Sequence, residues 1–221
     1  MSDLLDMQEF FTERASNWEH FVKVEWLPQD YEHYYSLLAS TIPETESPIR
    51  ILDVGCGGGI EFEWIFRRAP NAKVTGIDQS SEMLDCLRAK YADQLSQFNL
   101  IHESYLTHQF SEEAFDFAIT SMSIHYFRPS IRREIYEKIR VALEPGAVYI
   151  EGTYCADDEE DQNKRLAHFE EITRGRPGVN EGRYKCNLPL TKDTITRLKE
   201  EAGFRDVTWL NNEDWVAIGT K

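Results

Sequence analysis

Two carboxylates and a run of glycines carry the most legible chemistry in this chain. In Asp53-Val54-Gly55-Cys56-Gly57-Gly58-Gly59 an acid is followed by glycines at alternate positions, Gly55, Gly57 and Gly59. Glycines placed there let the backbone turn sharply and let a ligand approach it closely. Asp78 lies 19 positions past Gly59, near the spacing at which a dinucleotide fold sets a carboxylate on ribose hydroxyls. A nicotinamide or flavin fingerprint would place its third glycine where Ile60 stands, so the spacing D-x-G-x-G-x-G points elsewhere. His125 is the candidate base, since an imidazole moves protons near neutral pH. It reads more readily as a residue that packs its loop and hydrogen-bonds the backbone. His20 and Tyr184 are weaker candidates. Arg174, Arg176, Arg183 and Lys185 read either as a pocket for an anion or as solvent-facing charges on a lid.

These residues need a frame, and the hydrophobic pattern supplies one. Short apolar runs at 49–53, 72–77, 98–102, 115–121 and 147–151 read as buried strands. Helical periodicity falls between them, over 58–68, after Ser80 or Ser81, and over 130–143, where Ile131, Ile135 and Ile139 share a stripe. Such alternation predicts an α/β, doubly wound sheet with helices on both faces. Residues 1–48 form an aromatic-rich helical cap, two helices broken near Pro28. Residues 152–190 are an insert without the strand pattern. The insert carries five consecutive acids, Asp157 to Asp161, and a helix near 166–172. The acid run reads as a solvated face. A helix over 191–202 and two strands, 204–210 and 213–219, joined at Asn211-Asn212, complete the chain.

The length of 221 residues suits one domain with a modest insertion. Four separated cysteines, with no C-x-x-C pair, read as reduced thiols of a cytoplasmic protein rather than a disulfide frame or metal site. No apolar run approaches membrane-spanning length, and the first residues lack a secretory pattern. A formal charge of −15 works against binding a polyanion such as RNA. Monomer and homodimer both remain open.

The glycine loop with its two acids resembles the class I S-adenosylmethionine-dependent methyltransferases. So do Phe115-Asp116-Phe117-Ala118-Ile119, Leu143-Glu144-Pro145-Gly146, Ala202-Gly203-Phe204 and the terminal pair of strands. The resemblance implies a Rossmann-like, seven-stranded, mostly parallel sheet whose last strand is antiparallel. It implies S-adenosyl-L-methionine as cofactor. Asp53, Gly55, Gly57 and Gly59 would hold the methionine part, Asp78 the ribose and Gln79 the adenosine. Glu103, Ser104 and Tyr105 would stand beside the adenine, with Thr120 and Ser121 where the reacting groups meet. Phe11 to Trp18 is similar to a segment that small-substrate members fold over the cofactor, with Trp18 where a tyrosine is common.

The expected function is methyl transfer to a small-molecule acceptor by in-line displacement. Such a reaction chiefly needs alignment, and it needs a base when the acceptor starts as an alcohol or phenol. Other readings are tRNA wobble-uridine modification or a carboxy-S-adenosylmethionine-type enzyme, and a non-catalytic module that only binds the cofactor. An NAD-dependent reductase ranks last because of Ile60.

Overall fold

A computed structural model describes residues 4–27, 30–210 and 216–221. Nine strands and eight α-helices are described: β1 (Leu5–Asp6), α1 (Met7–Arg14), α2 (Trp18–Phe21), α3 (Tyr31–Ala39), β2 (Arg50–Val54), α4 (Phe62–Arg68), β3 (Lys73–Asp78), α5 (Ser81–Lys90), β4 (Phe98–His102), β5 (Phe115–Ser121), α6 (Pro129–Ala142), β6 (Leu143–Gly152), α7 (Glu159–Thr173), β7 (Tyr184–Lys185), α8 (Lys192–Glu201), β8 (Arg205–Trp209) and β9 (Val216–Thr220). Seven of the strands form one sheet in the order β4-β3-β2-β5-β6-β9-β8, in which only β9 runs against the rest. The seven-stranded, mostly parallel sheet expected from the sequence is therefore present. The turn expected at Asn211-Asn212 and the break at Pro28 lie outside the described residues.

Strand alternation builds two cores. Ile51, Ile119 and Ile150 face α3 and α4, while Leu52, Ala118 and Tyr149 face α6 and α8. Helices thus cover both faces, as a parallel sheet requires. The chain leaves β2 for β3 and β4 on one side and returns to β5 on the other. The carboxyl ends of β2 and β5 meet at that reversal, where open α/β sheets bind ligands.

Several boundaries differ from expectation for clear reasons. Helix α4 begins at Phe62, because Gly59 sits at φ +67° and cannot continue a helix. Strand β6 begins at Leu143, which pairs with Phe115; Pro145-Gly146 is a kink inside the strand, with Gly146 at φ +82°. Helix α7 is longer than the segment 166–172, and its first turn absorbs the acid run. Asp158 caps it by accepting from the Asp161 N–H at 2.8 Å, and Glu159 and Glu160 meet the positive end of the helix dipole. The insert also contains β7, which pairs antiparallel with β1, Leu5 opposite Lys185 and Asp6 opposite Tyr184. Two residues per strand carry too little pattern to be read from sequence. This short ladder latches the chain's N-terminal segment to the insert.

Candidate active site

The glycine loop takes its shape from β3. The N–H groups of Gly55 and Cys56 donate to the Ile77 carbonyl at 2.8 and 3.2 Å, and Gly59 N–H donates to the Cys56 carbonyl at 2.9 Å. Gly55 sits at φ +81°, and a Cβ there would lie 2.5 Å from Ser123 Cβ. Gly57, at φ +47°, faces open space with no atom within 4 Å of such a Cβ. The first glycine serves the fold; the second leaves room for a ligand.

A cavity opens beside this loop. Gly55, Gly57, Gly59, Asp78 and Gln79 form one side. Tyr105, Ser121, Met122 and Ser123 form the floor at the end of β5. Phe11 and Trp18 from the N-terminal segment roof it, with Tyr126 beside them. Met122 holds a positive φ of 50°, a conformation uncommon outside glycine and often found at ligand sites. Ser123 Oγ donates to the Val54 carbonyl at 2.7 Å and ties this turn to β2.

Asp78 ends β3 with both carboxylate oxygens oriented. Oδ2 accepts from Gly57 N–H and Oδ1 from Ser80 N–H, each at 2.9 Å. Burial raises its pKa, and these backbone donors offset part of that rise. A carboxylate has about four acceptor positions, so two remain for a diol. Deeper in the wall, Glu61 lines the cavity and Asp53 is fully buried near it. The Asp53 carboxyl faces that of Glu61 and, that acid aside, meets no donor among the described residues. Burial, then the neighbouring Glu61 charge, push the Asp53 pKa well above the carboxylate range; burial also raises Glu61. Buried carboxyls short of donors in this way fit an ammonium group. The aromatic roof fits a cation.

The cavity wall holds eight of the residues singled out from sequence: Trp18, Gly55, Gly57 and Gly59, with Asp78, Gln79, Tyr105 and Ser121. The other five lie off the wall. Thr120 faces away, its hydroxyl 2.7 Å from the Tyr149 hydroxyl, because neighbours on a strand point to opposite faces. Ser121, next along, hydrogen-bonds Tyr34 at 3.0 Å and reaches the cavity. Glu103 is exposed and turns to His108 Nδ1 at 2.7 Å. Ser104 accepts from Leu106 N–H. Asp53 stands behind Glu61. His125 is buried between Tyr126 and Tyr154, with ring centroids 3.9 and 4.7 Å away. Burial, then the charges of Arg132 and Lys185, hold its pKa well below 6.5. His20 and Tyr184 also lie off the wall.

Glu61 and Tyr126 escaped the sequence reading as site residues. An acid two positions past the last glycine, opening an apolar helix, was the available signal for Glu61. Nothing local marked Tyr126, whose position depends on the loop after β5.

Residues 51–146 match the methyltransferase domain family. Over those residues the chain is similar to a methyltransferase domain. The matched segment runs from β2 into β6 and includes the glycine loop and Asp78. A carboxy-S-adenosyl-L-methionine synthase from Campylobacter lari is similar over 181 residues at 21% identity, covering 76% of each chain. A trans-aconitate 2-methyltransferase from Rhodopseudomonas palustris is 32% identical over 111 residues, which span 50% of this chain and 40% of the relative's length. Human N-acetylserotonin methyltransferase, solved with S-adenosylmethionine, shares the fold with a TM-score of 0.64 and 16% identity, over 98% of this chain and 60% of that one. S-adenosylmethionine is the ligand of that human structure. The cavity suits it: open space at Gly57, spare acceptor positions on Asp78, buried carboxyls short of donors and an aromatic roof.

Proposed function

We propose that this protein is an S-adenosylmethionine-dependent methyltransferase acting on a small-molecule acceptor, which reaches the cofactor beneath the N-terminal segment. The carrying observation is the roof. Phe11 and Trp18 line the cavity with Asp78, and the β1–β7 latch ties α1, which carries Phe11, to the insert. A roofed pocket of this kind suits small molecules rather than a folded nucleic acid. The formal charge of −15 supports the same reading. So does the likeness to a relative named for trans-aconitate.

Bound S-adenosylmethionine supplies a methyl group on a positively charged sulfur. Asp78 would hold the ribose hydroxyls, and Glu61 with Asp53 the ammonium. Ser121, braced by Tyr34, and Met122 would form the floor on which acceptor and methyl group align. Alignment is the main contribution asked of the protein, because the leaving group is already activated. A second reading follows from the likeness to the Campylobacter lari synthase, which extends over most of both chains: the cavity would then hold a carboxylated cofactor.

Titration with S-adenosylhomocysteine tests the assignment. Wild type should bind it, NADH should not bind, and Asp78→Ala should weaken affinity by about a hundredfold or more while the melting curve of the ligand-free protein keeps its shape. Retained affinity in Asp78→Ala would remove the ribose role. Mass spectrometry of ligand released from the purified protein separates the two readings: a carboxylated sulfonium favours the second.

A further inference from the structure

Behind Tyr126, where it borders the cavity, the protein is rich in donors and poor in acceptors. Tyr126 lines the cavity, is buried, and its hydroxyl has no hydrogen-bond partner among the described residues. Behind it, across the His125 ring, the buried Tyr154 hydroxyl is likewise unpartnered. Arg132 is fully buried. Its Nε donates to the Phe127 carbonyl at 3.1 Å and its Nη2 to the Leu188 carbonyl at 2.6 Å, while Nη1 has no partner among the described residues. The Lys185 ammonium lies 4.4 Å from the Phe10 ring centroid and 5.7 Å from that of Tyr126. Among the described residues no carboxylate stands within ion-pair distance of Lys185 or Arg132.

A cation taken wholly from water, as Arg132 is, and one taken partly, as Lys185 is, are costly to leave without a counter-charge. The chain has 39 acids against 24 basic residues, yet none is spent here. The nearest candidate, Asp6, is engaged elsewhere: Oδ1 caps α1, and Oδ2 meets Arg183 at 3.4 Å. His125 supplies no negative charge, being held neutral by its burial. Of the four basic residues that the sequence offered as an anion pocket, Arg174, Arg176 and Arg183 are exposed and Lys185 alone turns inward.

We propose that this corner binds a carboxylate of the acceptor, with Tyr126 and Lys185 as its direct donors and Arg132 as a fixed positive charge behind them. The acceptor is then a small organic acid, a conclusion that rests on the methyl-transfer reading. The aromatic rings of Phe10 and Tyr126 exclude water around the ammonium, which strengthens its pull on an anion. Lys185 lies on β7, so the latch that roofs the cavity also delivers the anion contact. Acceptor binding and roof closure would therefore reinforce one another.

Calorimetry on the full chain tests this. S-adenosylhomocysteine is titrated first; its failure to bind would reject the methyl-transfer reading itself. With the protein saturated, malonate, succinate and glutarate are titrated beside their neutral diamides. At least one diacid should bind, and its diamide should bind at least about tenfold more weakly. Lys185→Met should lose at least about tenfold in diacid affinity, keep its S-adenosylhomocysteine affinity and its melting temperature, and be rescued by Lys185→Arg. Tyr126→Phe should weaken the diacid by a smaller factor. Three results would overturn the carboxylate assignment while the cofactor still bound: no diacid binding, equal binding of diamides, or unchanged affinity in Lys185→Met. Loss of S-adenosylhomocysteine binding in Lys185→Met would overturn it too, placing the lysine in the cofactor site.

Discussion

His125 shows how a residue of suitable type can be placed for a different task. Its ring packs between two tyrosines, off the cavity wall, and Arg132 and Lys185 add to burial in disfavouring its charged form. In the unfolded chain the same imidazole takes up a proton near pH 6.5. Below that pH the unfolded state binds more protons than the native state, so this group makes stability rise with pH and fall on acidification. Its slope approaches about 1.4 kcal/mol per pH unit below pH 6.5. The raised pKa values of Asp53 and Glu61 act in the opposite sense, favouring the native state at low pH and losing that advantage as pH rises. Comparison with His125→Gln isolates the histidine. Urea midpoints measured from pH 5 to 7.5 should fall less steeply on acidification in the variant. Equal slopes would mean that the imidazole is protonated in the native state. A carboxylate acceptor needs no proton removed, so the rate profile should also show no step near pH 6.5.

At the scale of elements, the turn after β2 separates two duties that the sequence presents as one motif. Gly55→Ala combines the left-handed backbone with a Cβ 2.5 Å from Ser123 Cβ. It should destabilise the protein by about 3 kcal/mol. Gly57→Ala meets nothing within 4 Å, so it should cost about 1 kcal/mol of backbone strain and lose cofactor affinity by about tenfold or more. Thermal melts and S-adenosylhomocysteine titrations measure the two effects; the reverse ranking would contradict the assignment. That loop, both acids and all seven sheet strands were legible, chiefly because a buried parallel strand is a continuous apolar run and a sharp ligand-binding turn needs glycine. The elements that close the site were not. Strands β1 and β7 have two residues each, and their pairing joins positions 5 and 185, a contact no local pattern encodes. Thr120 and Ser121 were read together, although strand alternation lets only one face the cavity. Tyr126, Arg132 and Lys185 come from three separate segments, so only the folded chain shows that they share a corner.

For the whole molecule, charge distribution gives a signature that differs between acceptor classes. The chain carries a formal charge of −15, while the unpartnered Tyr126, Tyr154 and Arg132 donors and the Lys185 ammonium are gathered together. A diacid approaching from afar meets net repulsion, and only beside Tyr126 does it meet Lys185. Long-range repulsion is screened as the Debye length falls from about 30 Å at 0.01 M salt to about 8 Å at 0.15 M. The half-buried contact with Lys185 is screened much less. Association of a diacid with the cofactor-loaded protein should therefore speed up several-fold over that range, with a smaller rise in dissociation rate. A nucleic-acid acceptor would show the opposite trend, because releasing condensed counterions makes its binding weaken steeply with salt. Stopped-flow measurement at four or five salt concentrations reads the sign directly. An association rate that falls with salt would mean that a positive surface outside the cavity guides the acceptor, and the internal corner would no longer explain how an acidic protein selects an acid.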